Sequence, residues 1–357
     1  MNKPRYILFG NAESVHLLKW AKELSRYFEL FIISPIGVHE QMKNVVPESN
    51  IYALNLKINP EGGNFKLLTK IFRFKKIIKK IKPDIVNAHY LTSHGFIAAL
   101  IRKYFGGKFI LIQSAWGSDV LVTPKRNSLY RCITRFTLNN ATLATSDSNY
   151  MSSVMAVFSF TKCLTFPFGL DAMPEASFEE KDPDLFFSNR ALTENYHIEK
   201  IIYAFAVIAM KNINAKLIIS NDGPKRKELT DLVKNIGMQD RVEFKGFLAA
   251  KDQNEIYKKA TYYFSLPASD STSVSLLEAM AYGCVPILSD LPANREWIQN
   301  KKNGTIYTSK EGFFSDLPDT KIAFEENRKI ISQRAIFSEN IKTLVDLLYA
   351  NYLKKEK

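Results

Sequence analysis

The feature that most narrows the fold of this chain is a long alternation of short, unbroken apolar runs with helix-sized intervals. Tyr6–Phe9, Leu30–Ser34, Ile51–Leu56, Ile85–Ala88 and Phe109–Ile112 are such runs, and Ala141–Thr145 and Leu164–Pro167 continue them. A strand with one wet face alternates apolar with polar residues, whereas a strand covered on both faces reads as a continuous apolar stretch. Runs of that kind, spaced by crossover-sized segments, predict a parallel sheet with helices on both sides. The segment Asp171–Asp184 then breaks the pattern: it is acidic, aperiodic and carries Pro174 and Pro183. A second series follows, with Leu185–Ser188, Lys216–Ser220, Val242–Lys245, Tyr262–Leu266, Val285–Ser289 and Gly304–Tyr307 as its strands.

The expected architecture is therefore α/β, two facing doubly wound Rossmann-like domains with ligands in the cleft at the strands' carboxyl ends. The boundaries expected are 1–170, a linker at 171–184, a second domain at 185–333, and an amphipathic helix over 334–357 that returns to the first domain. A chain of 357 residues with 46% apolar residues, 25 Phe and 16 Tyr can bury two cores. No apolar run reaches the roughly 18–20 residues of a membrane span, and the start of the chain lacks a signal-peptide pattern. The three cysteines, Cys132, Cys163 and Cys284, form no close pair, which excludes a cysteine zinc site and fits a reduced cytoplasmic compartment.

Chemistry concentrates in Leu266–Ile298. An aromatic strand leads into a loop of hydroxyl residues, then a short helix over Val274–Tyr282 that Gly283 stops, then another strand. Asp270 and Glu278 bracket the loop with seven residues between them. Ser275 and Glu278 have the spacing of a capping box, but Thr272 or Ser273 as N-cap makes a more ordinary helix. Glu278 then lies one turn inside the helix, where its carboxylate can accept two hydrogen bonds from a diol. The helix start itself suits phosphate, because its N–H groups and positive dipole end converge there.

The net charge of +13 calls for an anionic partner. Lys66–Lys82 holds eight basic residues and no acidic one, with Phe65, Leu68, Ile71, Phe72, Ile78 and Ile81 near helical spacing. That combination fits a helix lying on an anionic membrane surface. No nucleic-acid recognition motif accompanies the charge, so nucleic acid is not expected as a partner. Gly10–Glu13 lacks the spacing of a dinucleotide fingerprint, and Asp182-Pro-Asp184 reads as exposed linker rather than a metal motif.

The run from Asp270 through Gly283-Cys-Val-Pro-Ile-Leu-Ser-Asp290 to Trp297 resembles the nucleotide-sugar loop of glycosyltransferase family 4, retaining enzymes of the GT-B fold, in a version similar to that of a surface-polysaccharide subgroup. The resemblance covers nearly the whole chain. It implies that Asp270, standing where Glu is usual, contacts the sugar. Ser271, Thr272, Ser273, Val274 and Ser275 would hold sugar and phosphates, and Glu278 the ribose. Ser188-Asn189-Arg190 is similar to the family's Gly-Arg diphosphate site, so Arg190 would join Asp270 and Glu278 as the catalytic set. The Lys that usually follows is absent from Thr193–His197. Asn221-Asp-Gly-Pro224 is similar to a structural turn of the family, and Gly246 and Phe247 to its base-reading segment. By the same resemblance Gly10 lies near the donor diphosphate, and His16, His89, His94 and Asp119 line the acceptor side. Trp116 occupies the place of a common His, so no general base is transferred there.

The resemblance thus implies a retaining, metal-independent transferase without cofactor. It would move a sugar from a nucleotide-diphosphate sugar, a UDP-sugar first, to a lipid-linked saccharide in polysaccharide or lipopolysaccharide assembly. Its expected place is the cytoplasmic face of the plasma membrane. Alternatives at this stage are a non-catalytic sugar-nucleotide or membrane-binding module on the same scaffold, a GDP-mannose-type transferase, and a soluble enzyme with a small acceptor.

Overall fold

The computed structural model describes residues 3–57, 65–307 and 317–353, and the chain divides into two compact units, 1–166 with 338–357, and 167–337. In the first unit the strands are β1 (Arg5–Phe9), β2 (Glu29–Ser34), β3 (Ile51–Ala53), β4 (Ile85–His89), β5 (Ile110–Ser114), β6 (Leu143–Ser146) and β7 (Cys163–Thr165). Between them run α1 (Val15–Leu24), α2 (Ile71–Ile81), α3 (Phe96–Tyr104), the single turns α4 (Ser118–Leu121) and α5 (Thr123–Arg126), α6 (Ser128–Asn139) and α7 (Asn149–Phe158). All pairings are parallel, in the order β3-β2-β1-β4-β5-β6-β7. Ile7, Phe9, Ile33, Val86 and Leu111 pack against Phe74, Ile78 and Ile81 of α2 on one face, and Tyr6, Leu8, Ile32, Ile85 and Ile112 on the other are equally buried, as the continuous apolar runs require.

In the second unit the strands are β8 (Asp182–Ser188), β9 (Lys216–Ser220), β10 (Val242–Gly246), β11 (Ala260–Ser265), β12 (Val285–Leu288) and β13 (Thr305–Ile306). The helices are α8 (Ile198–Lys211), α9 (Arg226–Asn235), α10 (Ala250–Lys259), α11 (Val274–Ala281) and α12 (Thr320–Arg334). The sheet is again parallel, ordered β10-β9-β8-β11-β12-β13. One face is covered by α8 and α9 through Ile198, Phe205, Leu229 and Val233. Tyr257 of α10, Leu276, Leu277 and Met280 of α11, and Ile331 of α12 cover the other.

Three expectations need correction. The second unit begins at Pro167, and β8 starts at Asp182, inside the expected linker. Pro183 is tolerated because it sits at the strand's entry, where the pairing with β11 is irregular between Ala260 and Tyr262. The terminal segment is not one helix from Arg334. It is broken at Ala335–Ile336, where Leu170 N–H donates to Ala335 O (2.7 Å) and Phe337 N–H to Leu170 O (2.8 Å), and α13 (Phe337–Asn351) follows. Beyond its first residue α13 belongs to the first unit, where Tyr349 stacks on Phe28 at 5.9 Å; positions 354–357 lie outside the described residues. Finally, α2 buries Phe74 and leaves Phe72 66% exposed, because a 3₁₀ turn at Phe65–Lys70 shifts the phase of the pattern before the α-helix begins.

Candidate functional site

Each sheet reverses its strand order once: between β1 and β4 in the first unit, and between β8 and β11 in the second. At such switch points the loops diverge and leave a crevice beyond the strands' carboxyl ends. Gly10 and His89 lie at the first of these, and Arg190 and Asp270 at the second.

In the second unit β8 delivers Arg190 and β11 delivers Asp270. Arg190 is 7% exposed. Its Nη2 donates to Asp270 Oδ2 at 2.6 Å, and Nη1 donates to Ser275 Oγ at 3.1 Å and to the Ser273 hydroxyl. Tyr196 lies under the guanidinium with its ring centre 4.2 Å away, and Nε is buried without a hydrogen-bond partner. Burial lifts the Asp270 carboxyl above its ordinary range, and the Arg190 charge partly offsets that. Arg190 remains firmly protonated: burial works against the charge, but Asp270 and the neighbouring tyrosines outweigh it.

Ser273 is the N-cap of α11, its hydroxyl accepting from Leu276 N–H at 3.4 Å. At the other end Gly283, at φ +77°, closes a Schellman motif in which Cys284 N–H reaches Ala279 O and Gly283 N–H reaches Met280 O. The helix is thus fixed at both ends, and its start opens on Asp270 and Arg190. Ser271 and Thr272 are buried; Ser271 N–H donates to Asp270 Oδ1 (3.0 Å) and Trp297 Nε1 donates to Thr272 Oγ1 (3.3 Å). Where the family pattern has a second cation, Asn195 clamps the loop instead, donating to Ser269 O and accepting from Ser269 N–H. Glu278 is half-buried one turn into α11, and Tyr257 Oη lies 3.3 Å from its Oε2.

Around this core, the Asn221–Pro224 turn packs on Leu192, two residues past Arg190, so closely that a Cβ on Gly223 would stand 2.5 Å from Leu192 O. Gly246 adopts φ +68° and its carbonyl accepts from Asn221 N–H at 2.6 Å, while Phe247 beside it is 82% exposed. A cavity of about 440 Å³ lined by Asp182, Asp184, Lys216 and Arg241 lies at the opposite, amino-terminal ends of the strands. Arg241 there is spent on the carbonyls of Ala209, Asn212 and Ala215. Among the described residues, no three His, Cys, Asp or Glu side chains come together as a metal site requires.

In the first unit the switch point is aromatic. His89, at the end of β4, is 2% exposed; its Nδ1 accepts from Trp116 Nε1 at 3.1 Å and its ring meets Trp20 edge-on. Desolvation holds it neutral, at about 3. His94 Nδ1 bonds His89 O at 2.8 Å and is pushed down to about 4 by burial. Asp119 is fully buried, accepting from Leu91 N–H at 2.7 Å and from Trp116 N–H at 2.9 Å, and burial lifts it to about 6. All three, expected as contact residues, are buried at or just past the ends of β4 and β5. His16, half-buried in the first turn of α1, meets the Trp116 ring edge-on at 5.6 Å, and burial lowers its basicity. Gly10 donates its N–H to Ile33 O, and a Cβ there would lie 3.1 Å from His89 Cβ. Its small size therefore serves a close approach inside the unit. Tyr90, a cleft candidate in sequence beside His89, holds φ +78° and bonds Ser118 Oγ at 3.1 Å.

Two family models match the chain: "Glycosyl transferase 4-like" over residues 6–148 and "Glycosyl transferases group 1" over residues 171–342. The chain belongs to the family 4-like glycosyltransferases of GT-B fold. Among curated relatives, N-acetyl-alpha-D-glucosaminyl L-malate synthase of Bacillus anthracis is 23% identical over 309 residues, spanning 80% of this chain and 79% of its own. Among solved structures, Anabaena HepE in complex with UDP superposes with a TM-score of 0.77 at 15% identity, over 97% of this chain and all of its own. The lipopolysaccharide outer core galactosyltransferase WaaB, in its apo form, gives 0.72 at 16% identity over 96% and 99%. At these identities the structural likeness speaks for the fold of the transferase. The sequence motifs single out Arg190, Asp270 and Glu278, and the fold brings Arg190 and Asp270 into contact. They missed Tyr196, Asn195 and Tyr257, which resemble ordinary core or loop residues until the fold brings them together.

Proposed function

We propose that this transferase takes a nucleoside-diphosphate sugar, a UDP-sugar first, and transfers the sugar with retention of configuration and without a metal ion. The reading rests on one observation: a buried guanidinium, Arg190, converges with Asp270 and the capped start of α11 at the switch point of the second sheet. Arg190 and the helix start would hold the diphosphate. The helix dipole contributes about 0.3–2 kcal/mol and a charged donor about 2–4 kcal/mol. Asp270 would contact the sugar, Glu278 the ribose diol, and Gly246 and Phe247 the base. In the front-face reaction the acceptor hydroxyl attacks C1 as the bond from C1 to the phosphate oxygen breaks. The departing phosphate takes the hydroxyl proton, so no separate base is needed. Glu278→Ala and Arg190→Ala should each reduce transfer at least tenfold; wild-type turnover in both would end this assignment. A thermal-shift panel of nucleotide-sugars identifies the donor, because binding to the folded state raises stability by mass action.

For the acceptor we read a lipid-linked saccharide at an anionic membrane surface. α3 packs beside the basic helix α2, and α6 packs beside α3. Lys75 lies 4.7 Å from the Phe105 ring centre, and Lys103 lies 5.1 Å from that of Phe136. Phe72 and Tyr104 are 66% and 62% exposed, and from Ile85 to Ser146 the only acidic residue is the buried Asp119. Among the described residues no helix is long and apolar enough to cross a membrane, so contact would be lateral. Co-sedimentation with anionic vesicles should fall when Lys75, Lys76, Lys79 and Lys80 are changed to Gln. A second reading, a small soluble acceptor, is favoured by the malate synthase relative; activity on a small hydroxy acid with no vesicle binding would select it.

A further inference from the structure

A chain of buried polar groups runs beneath the donor loop and ties its cation to its helix carboxylate. Arg190 Nη1 donates to Ser275 Oγ (3.1 Å), and the Ser275 carbonyl accepts from Tyr257 Oη (3.1 Å). Tyr263 Oη donates to Asn189 Oδ1 at 2.8 Å, and Asn189 Nδ2 donates to Tyr257 Oη at 2.9 Å. The Tyr257 proton is then shared between Ser275 O (3.1 Å) and Glu278 Oε2 (3.3 Å). Because the Asn189 oxygen is engaged by Tyr263, its amide nitrogen must face Tyr257, and the Tyr257 proton is then directed to the side of Ser275 O and Glu278 Oε2.

The tyrosines are held rigidly. Tyr257 and Tyr263 are fully buried, and the Tyr257 ring stacks on Tyr282 at 5.6 Å and meets Phe187 edge-on at 5.0 Å. Lys181 Nζ donates to the carbonyls of Tyr257 and Ala260 at 2.8 Å each, which fixes the end of α10. Asn189 stands in the motif position where the family pattern has glycine, and a glycine could not join the two tyrosines. Glu278 is a half-buried carboxylate on a short helix, and the groups fixed around it decide its rotamer. The buried phenol of Tyr257 is one such group.

We propose that Tyr257 and Asn189 are positioning residues that hold the Glu278 carboxylate in the rotamer that meets the donor's ribose diol, and so set the preference for ribo- over 2′-deoxyribonucleotide. The inference rests on the reading of Glu278 as the ribose ligand. Its test is calorimetric binding of UDP and GDP and of their 2′-deoxy forms to the full chain. In the wild type the ribonucleotide binds more tightly, and Glu278→Gln abolishes the difference. Tyr257→Phe, which keeps the ring packing, weakens the ribonucleotide about tenfold, the loss expected of one hydrogen bond to a charged group. It leaves the deoxy form unchanged and adds nothing in the Glu278→Gln background. Asn189→Gly shifts the ratio in the same direction by a smaller factor, and carries the test alone if Tyr257→Phe does not fold. Wild-type ratios in both variants, or equal weakening of both nucleotides, overturn the proposal while leaving Glu278 in place. A wild-type ratio in Glu278→Gln, or no binding of either nucleotide by the wild type, overturns the reading beneath it.

Discussion

Arg190→Ala probes the second unit most directly, because its cost depends on which partner it strands. Three side chains bond the guanidinium: Asp270, Ser273 and Ser275. The serines are neutral, and Ser273 keeps its bond from Leu276 N–H. Asp270 keeps only Ser271 N–H, so the loss is that of a carboxylate stripped of its counter-charge. Breaking a fully buried pair costs about 3–5 kcal/mol. The Asp270 side chain is 23% exposed, which places the expected loss near the bottom of that range, about 3 kcal/mol. The loss should depend on pH. Burial already raises the Asp270 carboxyl, and without Arg190 it rises further. A group raised in the folded state contributes stability that is fully present below its unfolded value and is lost as pH rises through the folded value. The variant should therefore be impaired most at pH 8 and recover about 1.4 kcal/mol per pH unit once Asp270 begins to protonate. Because two units need not unfold together, the readout is hydrogen exchange of β8 and α11 amides at pH 8 and pH 5. Arg190→Ala/Asp270→Asn should regain most of the loss at pH 8. Equal destabilisation at both pH values, or a double variant no better than the single, would refute the reasoning.

Two further outcomes follow from local geometry. Gly283→Ala should destabilise the second unit by at least about 1–3 kcal/mol, the cost of a left-handed non-glycine residue, because a Cβ there would also lie 2.0 Å from Phe324 Cδ2; a melt within a degree of wild type would contradict it. In the first unit, His89 and His94 are depressed to about 3 and about 4, and each contributes stability above pH 6.5 that is lost on acidification; Asp119, raised to about 6, acts in the opposite sense. Between pH 6 and 4 two protons favour unfolding and one opposes it, so these groups should lower stability by about 1.4 kcal/mol per unit of falling pH, and His94→Gln should flatten that slope in exchange of β4 and β5 amides.

The sheets were legible because strands dry on both faces leave continuous apolar runs, and α11 because its cap, Ser273, and its stop, Gly283, are local signals. What escaped was decided by tertiary contact. Pro183 and two aspartates argue against a strand, yet β8 begins there because the first rung needs only a neighbour at Ala260. No glycine or proline marks the break at Ala335–Ile336; it exists because Leu170 takes the backbone bonds that would have continued the helix. Tyr257 falls at core spacing on α10 and its ring is indeed core, so only its hydroxyl, seen against Asn189 and Glu278, has a place in the site. His89, His94 and Asp119 carried the residue types of a contact surface. Their burial could not be read from a strand end, where the chain can turn outward or fold over itself.

The pairing of Arg190 with Asp270 also bears on how the donor would be taken up. The motif reading gives these residues different targets, phosphate and sugar, yet in the structure they bind each other. A cation this buried needs a counter-charge, and Asp270 supplies it. An arriving diphosphate would compete for the same guanidinium and free the carboxylate to turn to the sugar. Asp270→Asn removes the competitor while keeping the shape. Inorganic pyrophosphate should then bind about fivefold more tightly, corresponding to about 1 kcal/mol for a partly exposed ion pair, while sugar transfer falls. Binding and turnover thus move in opposite directions, as they do when a group opposes the ground state but serves the transition state. Calorimetry with pyrophosphate and a transfer assay on the same preparation decide it: weaker pyrophosphate binding in Asp270→Asn would mean that the carboxylate organises Arg190 for phosphate rather than competing with it.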